Sequence, residues 1–209
     1  MPKILTEDDI ADFRAELCRV ATERFARHGY DGVTMRQLAD VLGCSPKTPY
    51  RYFKDKADIL ATVRAAAFGR FADALEAAAA SGADPVERSR KVGQAYVAFA
   101  LANPSAYRIM FDINGPENVE HAEFKVQAAR ARRFITRQAK DLAAAGLIDA
   151  DPILVGWAMW AAVHGLVVLR LAGMWHDAPD FDTLHDVTMR LIFEGARAGR
   201  GKIKQARRA

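Results

Sequence analysis

Apolar residues in this 209-residue chain recur every three or four positions along almost its whole length. That is the period of helices with one buried face. Ile10, Phe13, Leu17, Ala21 and Phe25 lie on one such face. Thr6 stands before it as an N-cap and His28-Gly29 ends it. Thr34 then caps a short helix with Met35, Leu38, Ala39 and Leu42 on one side, broken at Gly43. Ser45-Pro46 opens a third helix, serine as N-cap and proline in the first turn, ending near Phe53. Further helices are predicted from Asp55 to Ala80, Pro85 to Ala102, Pro104 to Asp112, His121 to Ala145, Asp151 to Ala172 and Phe181 to Ala198, with a loop at 114–119. Runs of β-branched residues are short, and no strand alternation competes. The pattern predicts an all-α fold.

Composition narrows the function. With 51% hydrophobic and 27% charged residues, the chain has ample apolar material for a core, which excludes disordered and collagen-like classes. Cys18 and Cys44 are too few for a disulfide scaffold or a four-cysteine zinc site. The first residues lack the apolar run and small-residue cleavage site of a secretory signal, so a cytoplasmic protein is expected. Residues 153–169 carry no formal charge over 17 positions, the lower limit for a bilayer span. His164 inside, Arg170 at the end and the lack of a positive flank favour a helix buried on nearly all sides, in a core or an oligomer interface. No membrane partner is expected. The net charge is +4, and the basic tail 199–209 alone contributes +5, so the body is near neutral. The tail is expected to be flexible.

Chemistry concentrates in Thr34–Lys56, TMRQLADVLGCSPKTPYRYFKDK. Two short helices around Gly43-Cys44 follow the grammar of a helix-turn-helix. In such a unit the N-terminal residues of the second helix reach base edges in the major groove. Here these are Ser45, Pro46, Lys47, Thr48 and Pro49, none of them a large core hydrophobe. Tyr50, Arg51, Tyr52, Lys54 and Lys56 follow with donors suited to phosphates. From Arg24 to Lys56 there are seven basic residues and three acids, a local surplus where a polyanion would need it.

The stretch from Phe25 through HGYDGVTMRQLADVLGCSPKTPYRYFKDKADIL resembles the TetR family of transcriptional regulators. The Gly-Tyr opening, the Thr34 cap, the Leu-Ala pair, the Gly-x-Ser turn and the Tyr-x-Tyr-Phe-x-x-Lys close carry the resemblance. It implies an all-helical homodimer of about nine helices per subunit. The implied domains are a helix-turn-helix DNA-binding domain (1–54), an effector-binding and dimerisation domain (55–198) and the tail. It also implies DNA contacts by Thr34, Arg36, Ser45, Lys47, Thr48, Tyr50, Tyr52 and Lys56, with Tyr50 and Lys56 on backbone phosphates. Pro49 departs from the family, which more often has an ordinary apolar residue there. It is expected to alter base preference without abolishing binding. Trp160, His164-Gly165 and the segment Asn103-Pro104-x-x-Tyr107-Arg108-x-Met110-Phe111 resemble a subgroup with a Trp…His-Gly signature.

In the C-terminal half, Trp157, Trp160, His164, Val168 and Leu171 share a helical face that reads either as core or as the lining of an effector pocket. Tyr96, Phe99, Tyr107, Met110 and Phe111 add aromatic and thioether volume, suiting an apolar or aromatic effector. The stripe Ala158, Ala162, Gly165, Leu169 and Ala172 permits close helix approach. The resemblance implies a dimer interface there, with Leu184, Val187, Leu191 and Gly195 opposite. No nucleophile elbow, His-Glu-x-x-His or strand-linked Gly-x-Gly-x-x-Gly occurs, so no catalysis, cofactor or metal is expected. The expected function is a DNA-binding transcriptional regulator, a repressor released from a pseudo-palindromic operator by a small-molecule effector. The alternative is an effector-independent DNA-binding or protein-interaction dimer.

Overall fold

The structure, a computed structural model, describes residues 6–111 and 121–197. The expected loop at 114–119 and the basic tail 199–209 lie outside these. Among the described residues there are nine α-helices and no strand: α1 (Glu7–His28), α2 (Met35–Val41), α3 (Lys56–Ser81), α4 (Pro85–Ala102), α5 (Pro104–Met110), α6 (Ala122–Arg132), α7 (Phe134–Ala144), α8 (Pro152–Leu171) and α9 (Phe181–Arg197), with a 3₁₀ turn at Pro49–Arg51. The caps are those the sequence marks. Thr6 and Asp9 form a capping box, each side chain accepting from the other's backbone N–H, and Asp151 caps α8 ahead of Pro152.

The chain forms two compact units, residues up to 70 with 103–129, and residues 71–102 with those from 130 onward. The first has a core of Leu17, Val20, Ala21 and Phe25 from α1, Met35 and Leu38 from α2, Phe53, then Ile59, Leu60 and Val63 from α3. Ile109 of α5 is buried in the same cluster, so α5 packs onto α1. Each of these large side chains contributes roughly 1.5–3 kcal/mol on burial.

In the second unit α7 packs on α8 and α4, and α9 on α8. Gly156 of α8 makes the α7–α8 approach possible, because a Cβ there would lie 2.4 Å from the Ile135 carbonyl oxygen and 2.8 Å from the Thr136 Cα. Ala139, Leu142, Ile148, Val155 and Ala196 fill the core. The backbone N–H groups of Asp149 and Ala150 both donate to the Ala196 carbonyl at 3.0 Å, tying the α7–α8 loop to α9.

Two expectations are corrected, and a third loses its core alternative. The third helix, expected from Pro46 to Phe53, is a run of turns with only one 3₁₀ turn. Thr48 N donates to Ser45 O at 2.9 Å and Arg51 N to Thr48 O at 3.0 Å, both i to i−3. Pro49 has no N–H for the i−4 bond, and its ring crowds the carbonyl that would accept it. The helix expected over 121–145 is divided at Arg133 into α6 and α7. Finally, α8 is long and apolar enough to cross a membrane by length and composition, yet only 22% of that window is buried. Within one chain it is therefore not covered on nearly all sides. Val155, Gly156, Val163 and Val167 face inward, whereas Leu154 (68%), Trp157 (47%), Val168 and Leu169 are exposed.

Candidate nucleic-acid interface and effector residues

In the first unit the segment after α2 is fixed by its turn chemistry. Gln37 N donates to the Thr34 hydroxyl at 3.2 Å and Thr34 N to Gln37 Oε1 at 2.8 Å, a reciprocal cap that starts α2. Gly43 ends it with φ +63°, a left-handed conformation that glycine takes at no steric cost. Cys44 N then donates to the Ala39 carbonyl at 3.0 Å.

Beyond the turn the side chains sort by face. Ser45, Pro46, Lys47, Tyr50 and Arg51 are exposed, Tyr50 to 55%. Pro49 and Phe53 are buried. Thr48 is half-buried, its hydroxyl 3.2 Å from that of Ser45. Pro49, expected among the groove-facing residues, is instead an inward anchor. Arg36 and Lys54 are also exposed, so the surface beside this edge remains cationic.

Tyr52 and Lys56 are partly turned inward. The Tyr52 ring lies 4.7 Å from that of Phe13. Its carbonyl accepts from Arg14, whose guanidinium covers the Phe53 ring at 4.3 Å. The Lys56 ammonium donates to the Tyr30 carbonyl at 2.7 Å. Asp55 and Asp58 secure the start of α3, Asp58 N donating to Asp55 Oδ1 at 2.9 Å and Lys54 N to Asp58 Oδ2 at 3.0 Å. Phe13, Arg14 and Tyr30 thus hold the exposed edge in place, and Gln37 the start of the helix before it. Phe13 is expected on the buried face of α1 and Tyr30 in the Gly-Tyr opening; Arg14 has no local signal, and Gln37 has the Thr-x-x-Gln spacing.

The expected effector residues divide between the units. Tyr107 and Met110 are buried in the first. There the Tyr107 and Phe111 rings are 4.9 Å apart, and Arg64 donates to the Met110 carbonyl at 3.2 Å. Tyr96, Phe99, Trp157, Trp160 and His164 belong to the second. The Tyr96 hydroxyl lies 3.1 Å from His164 Nδ1. Trp160 stacks on His164 at 5.3 Å and meets Trp157 edge-on at 5.3 Å. Phe71 lies 5.1 Å from both Tyr96 and Phe99. Burial holds the His164 imidazole below the usual histidine pKa, favouring its neutral form.

Of the expected interface stripes, Ala158, Leu169, Leu191 and Gly195 are exposed, and Ala162, Gly165, Leu184 and Val187 half-buried. No group of three or more metal-ligating side chains occurs among the described residues.

Two family models match the chain. One described as bacterial regulatory proteins, tetR family, covers residues 17–63. One described as tetracyclin repressor-like, C-terminal domain, covers 89–192. No curated protein matches in sequence. Among solved structures, a TetR-family bacterial regulatory protein from Rhodococcus RHA1 is similar over 88% of this chain and 96% of its own, with 22% identity and a TM-score of 0.69. A TetR-family transcription regulator from Marinobacter aquaeolei VT8 aligns over 90% and 97%, at 18% identity and TM-score 0.72. The fatty acid degradation regulator FadR from Bacillus halodurans aligns over 88% and 99%, at 18% identity and TM-score 0.70. At these identities the likeness is one of fold.

Proposed function

The chain belongs to the TetR family of DNA-binding transcription regulators, and from that premise we propose that it acts as a homodimeric repressor released from its operator by a small apolar or aromatic effector. The observation that carries the DNA reading is the exposed edge Ser45, Pro46, Lys47, Tyr50 and Arg51, held from behind by buried Pro49 and Phe53. Lys47 and the hydroxyls of Ser45 and Thr48 supply donors for base edges. Tyr50 and Arg51 supply them for phosphates. Two such edges, related by a dyad, would read half-sites roughly 34–36 Å apart or a longer multiple of a turn.

The exposed apolar surface of α8 supports the dimer, since Leu154, Trp157, Val168 and Leu169 along it are all exposed in the single chain and a partner would cover them. Trp157, Trp160, Tyr96 and His164 offer an aromatic face with one polar anchor, which suits an apolar or aromatic effector. Release would follow population shift, the effector binding more tightly to a dimer whose edges are mis-spaced.

Selection of bound DNA from a random pool tests this reading. Enrichment of an inverted repeat, lost with Lys47→Ala, is the expected result. A pool with no enriched sequence would end it. The effector step is tested by titrating aromatic compounds against the operator complex, with release weakened by Trp160→Ala.

A further inference from the structure

The second unit holds an open cleft of about 740 Å³, lined by none of the residues assigned above to DNA, effector or dimer. That volume lies within the roughly 300–1,000 Å³ of small-molecule sites. Arg88, Arg133 and Arg137 line it together with Phe134, and small alanines of α3 and α7 complete the wall. Gln138 also lines it, only 8% exposed, and its amide oxygen is sealed without any hydrogen-bond partner. Buried amides almost always have partners, so this one stands out.

The electrostatics point the same way. Of the two lining carboxylates, Glu76 is held by Arg130 at 2.6 Å, a residue outside the lining. Arg133 lies 4.0 Å from Glu76 and Arg137 3.5 Å from Asp141, both long contacts with exposed guanidinia. Arg88 makes no side-chain ion pair or hydrogen bond among the described residues. Three guanidinia therefore line the cleft with a single carboxylate not already engaged at short range.

We propose that this cleft is a ligand site separate from the Tyr96–His164 face, and that it takes a small hydroxy-carboxylate. A guanidinium binds a carboxylate through two parallel N–H donors. A hydroxyl both donates and accepts. It therefore pairs with whichever end of the Gln138 amide the broad last torsion turns toward the cleft. The Phe134 ring and the alanine methyls take the apolar body of the ligand.

Isothermal titration of the full chain with 4-hydroxybenzoate, benzoate and inorganic phosphate tests the site. The expected order is 4-hydroxybenzoate tightest, benzoate about fivefold weaker for the missing hydrogen bond, and phosphate weakest. Arg88→Ala combined with Arg137→Ala removes carboxylate binding. Gln138→Leu removes the difference between the two benzoates. The arginine pair keeps the test valid should the buried Gln138 variant fail to fold. Three results would overturn the proposal: no carboxylate binding, equal affinity of the parent for both benzoates, or unchanged affinity in the arginine variant. Loss of binding in His164→Phe with the arginine variant unaffected would instead put the ligand on the Tyr96 face and equally overturn it. DNA selection by the parent is independent of all these outcomes.

Discussion

The Lys56 ammonium donates to the Tyr30 carbonyl at 2.7 Å while lying 3.9 Å from the centroid of the same residue's ring. One side chain at the start of α3 thus fastens the loop between α1 and α2 twice over. The family resemblance implies a phosphate contact at this position, yet here the charge is already engaged within the protein. Lys56→Met keeps the apolar stem and removes the charge. It is expected to lower stability by about 1–2 kcal/mol, from a charged hydrogen bond and a cation–π contact at a half-buried site. The dependence of DNA affinity on salt should keep its slope. Arg51→Ala, which removes an exposed guanidinium, should reduce that slope by about one. Thermal melts and titrations at several salt concentrations check both, and a flatter slope for Lys56→Met would return its ammonium to the phosphates.

Along the exposed edge, the proposed function assigns base reading and phosphate binding to different residues. Lys47→Ala and Thr48→Ala should relax base preference, costing about 1–3 kcal/mol of discrimination at the positions they contact. Tyr50→Phe removes one hydroxyl from an exposed ring and should weaken binding to all sequences by a modest amount. Randomised-site binding assays resolve the two classes. Unchanged selectivity in the Lys47 and Thr48 variants, or a single-position change in Tyr50→Phe, would reverse the assignment.

Much of this architecture is legible in the chain because its punctuation is local. Thr6, Thr34 and Asp151 accept from backbone N–H groups three or fewer residues away, and Gly43 needs only its own φ. What escaped depends on distant or absent atoms. Pro46 is a good first-turn residue by rule, but three residues on, Pro49 lacks an N–H and its ring crowds the acceptor, leaving a single 3₁₀ turn. No proline or glycine lies between Ala122 and Ala144 to announce the break at Arg133. Ile109 joins the core of a helix some ninety residues earlier, and short periodicity carries no record of such a contact. Gln138 on a polar-looking turn of α7 reads as surface, yet it is buried. The aromatic residues at 107–111 and 157–164 read as one set by chemistry, and compactness alone divides them.

The His164 imidazole, held below the ordinary histidine value of 6.5 by burial, links stability to pH. As pH falls through 6.5 the unfolded chain takes up a proton that the folded chain refuses, so stability declines until the depressed native pKa is reached, and is level below it. At neutral pH both states are unprotonated there and the penalty is absent. His164→Gln removes the titrating group and should flatten the decline below pH 6.5. Denaturant midpoints between pH 7.5 and 5 for parent and variant measure this. Parallel curves would mean that His164 does not titrate with folding.

Two glycines of α8 make opposite predictions. At Gly156 a Cβ would press on the backbone of Ile135 and Thr136, at 2.4 and 2.8 Å, and backbone cannot swing aside as a side-chain tip can. Gly156→Ala should therefore destabilise by about 1–3 kcal/mol, the usual cost of overpacking, despite alanine's better helix propensity. At Gly165 nothing lies within 4 Å of the added methyl. Gly165→Ala should then stabilise the single chain by up to about 1 kcal/mol through helix propensity alone. If the stripe through Ala158, Ala162 and Leu169 is the surface two subunits share, the same methyl intrudes between them, and the dimer should dissociate at higher protein concentration than the parent. Sedimentation across a dilution series, with melts at the lowest concentration, reads both effects. A Gly165→Ala chain more stable in the melt and no weaker as a dimer would move the subunit contact off this stripe.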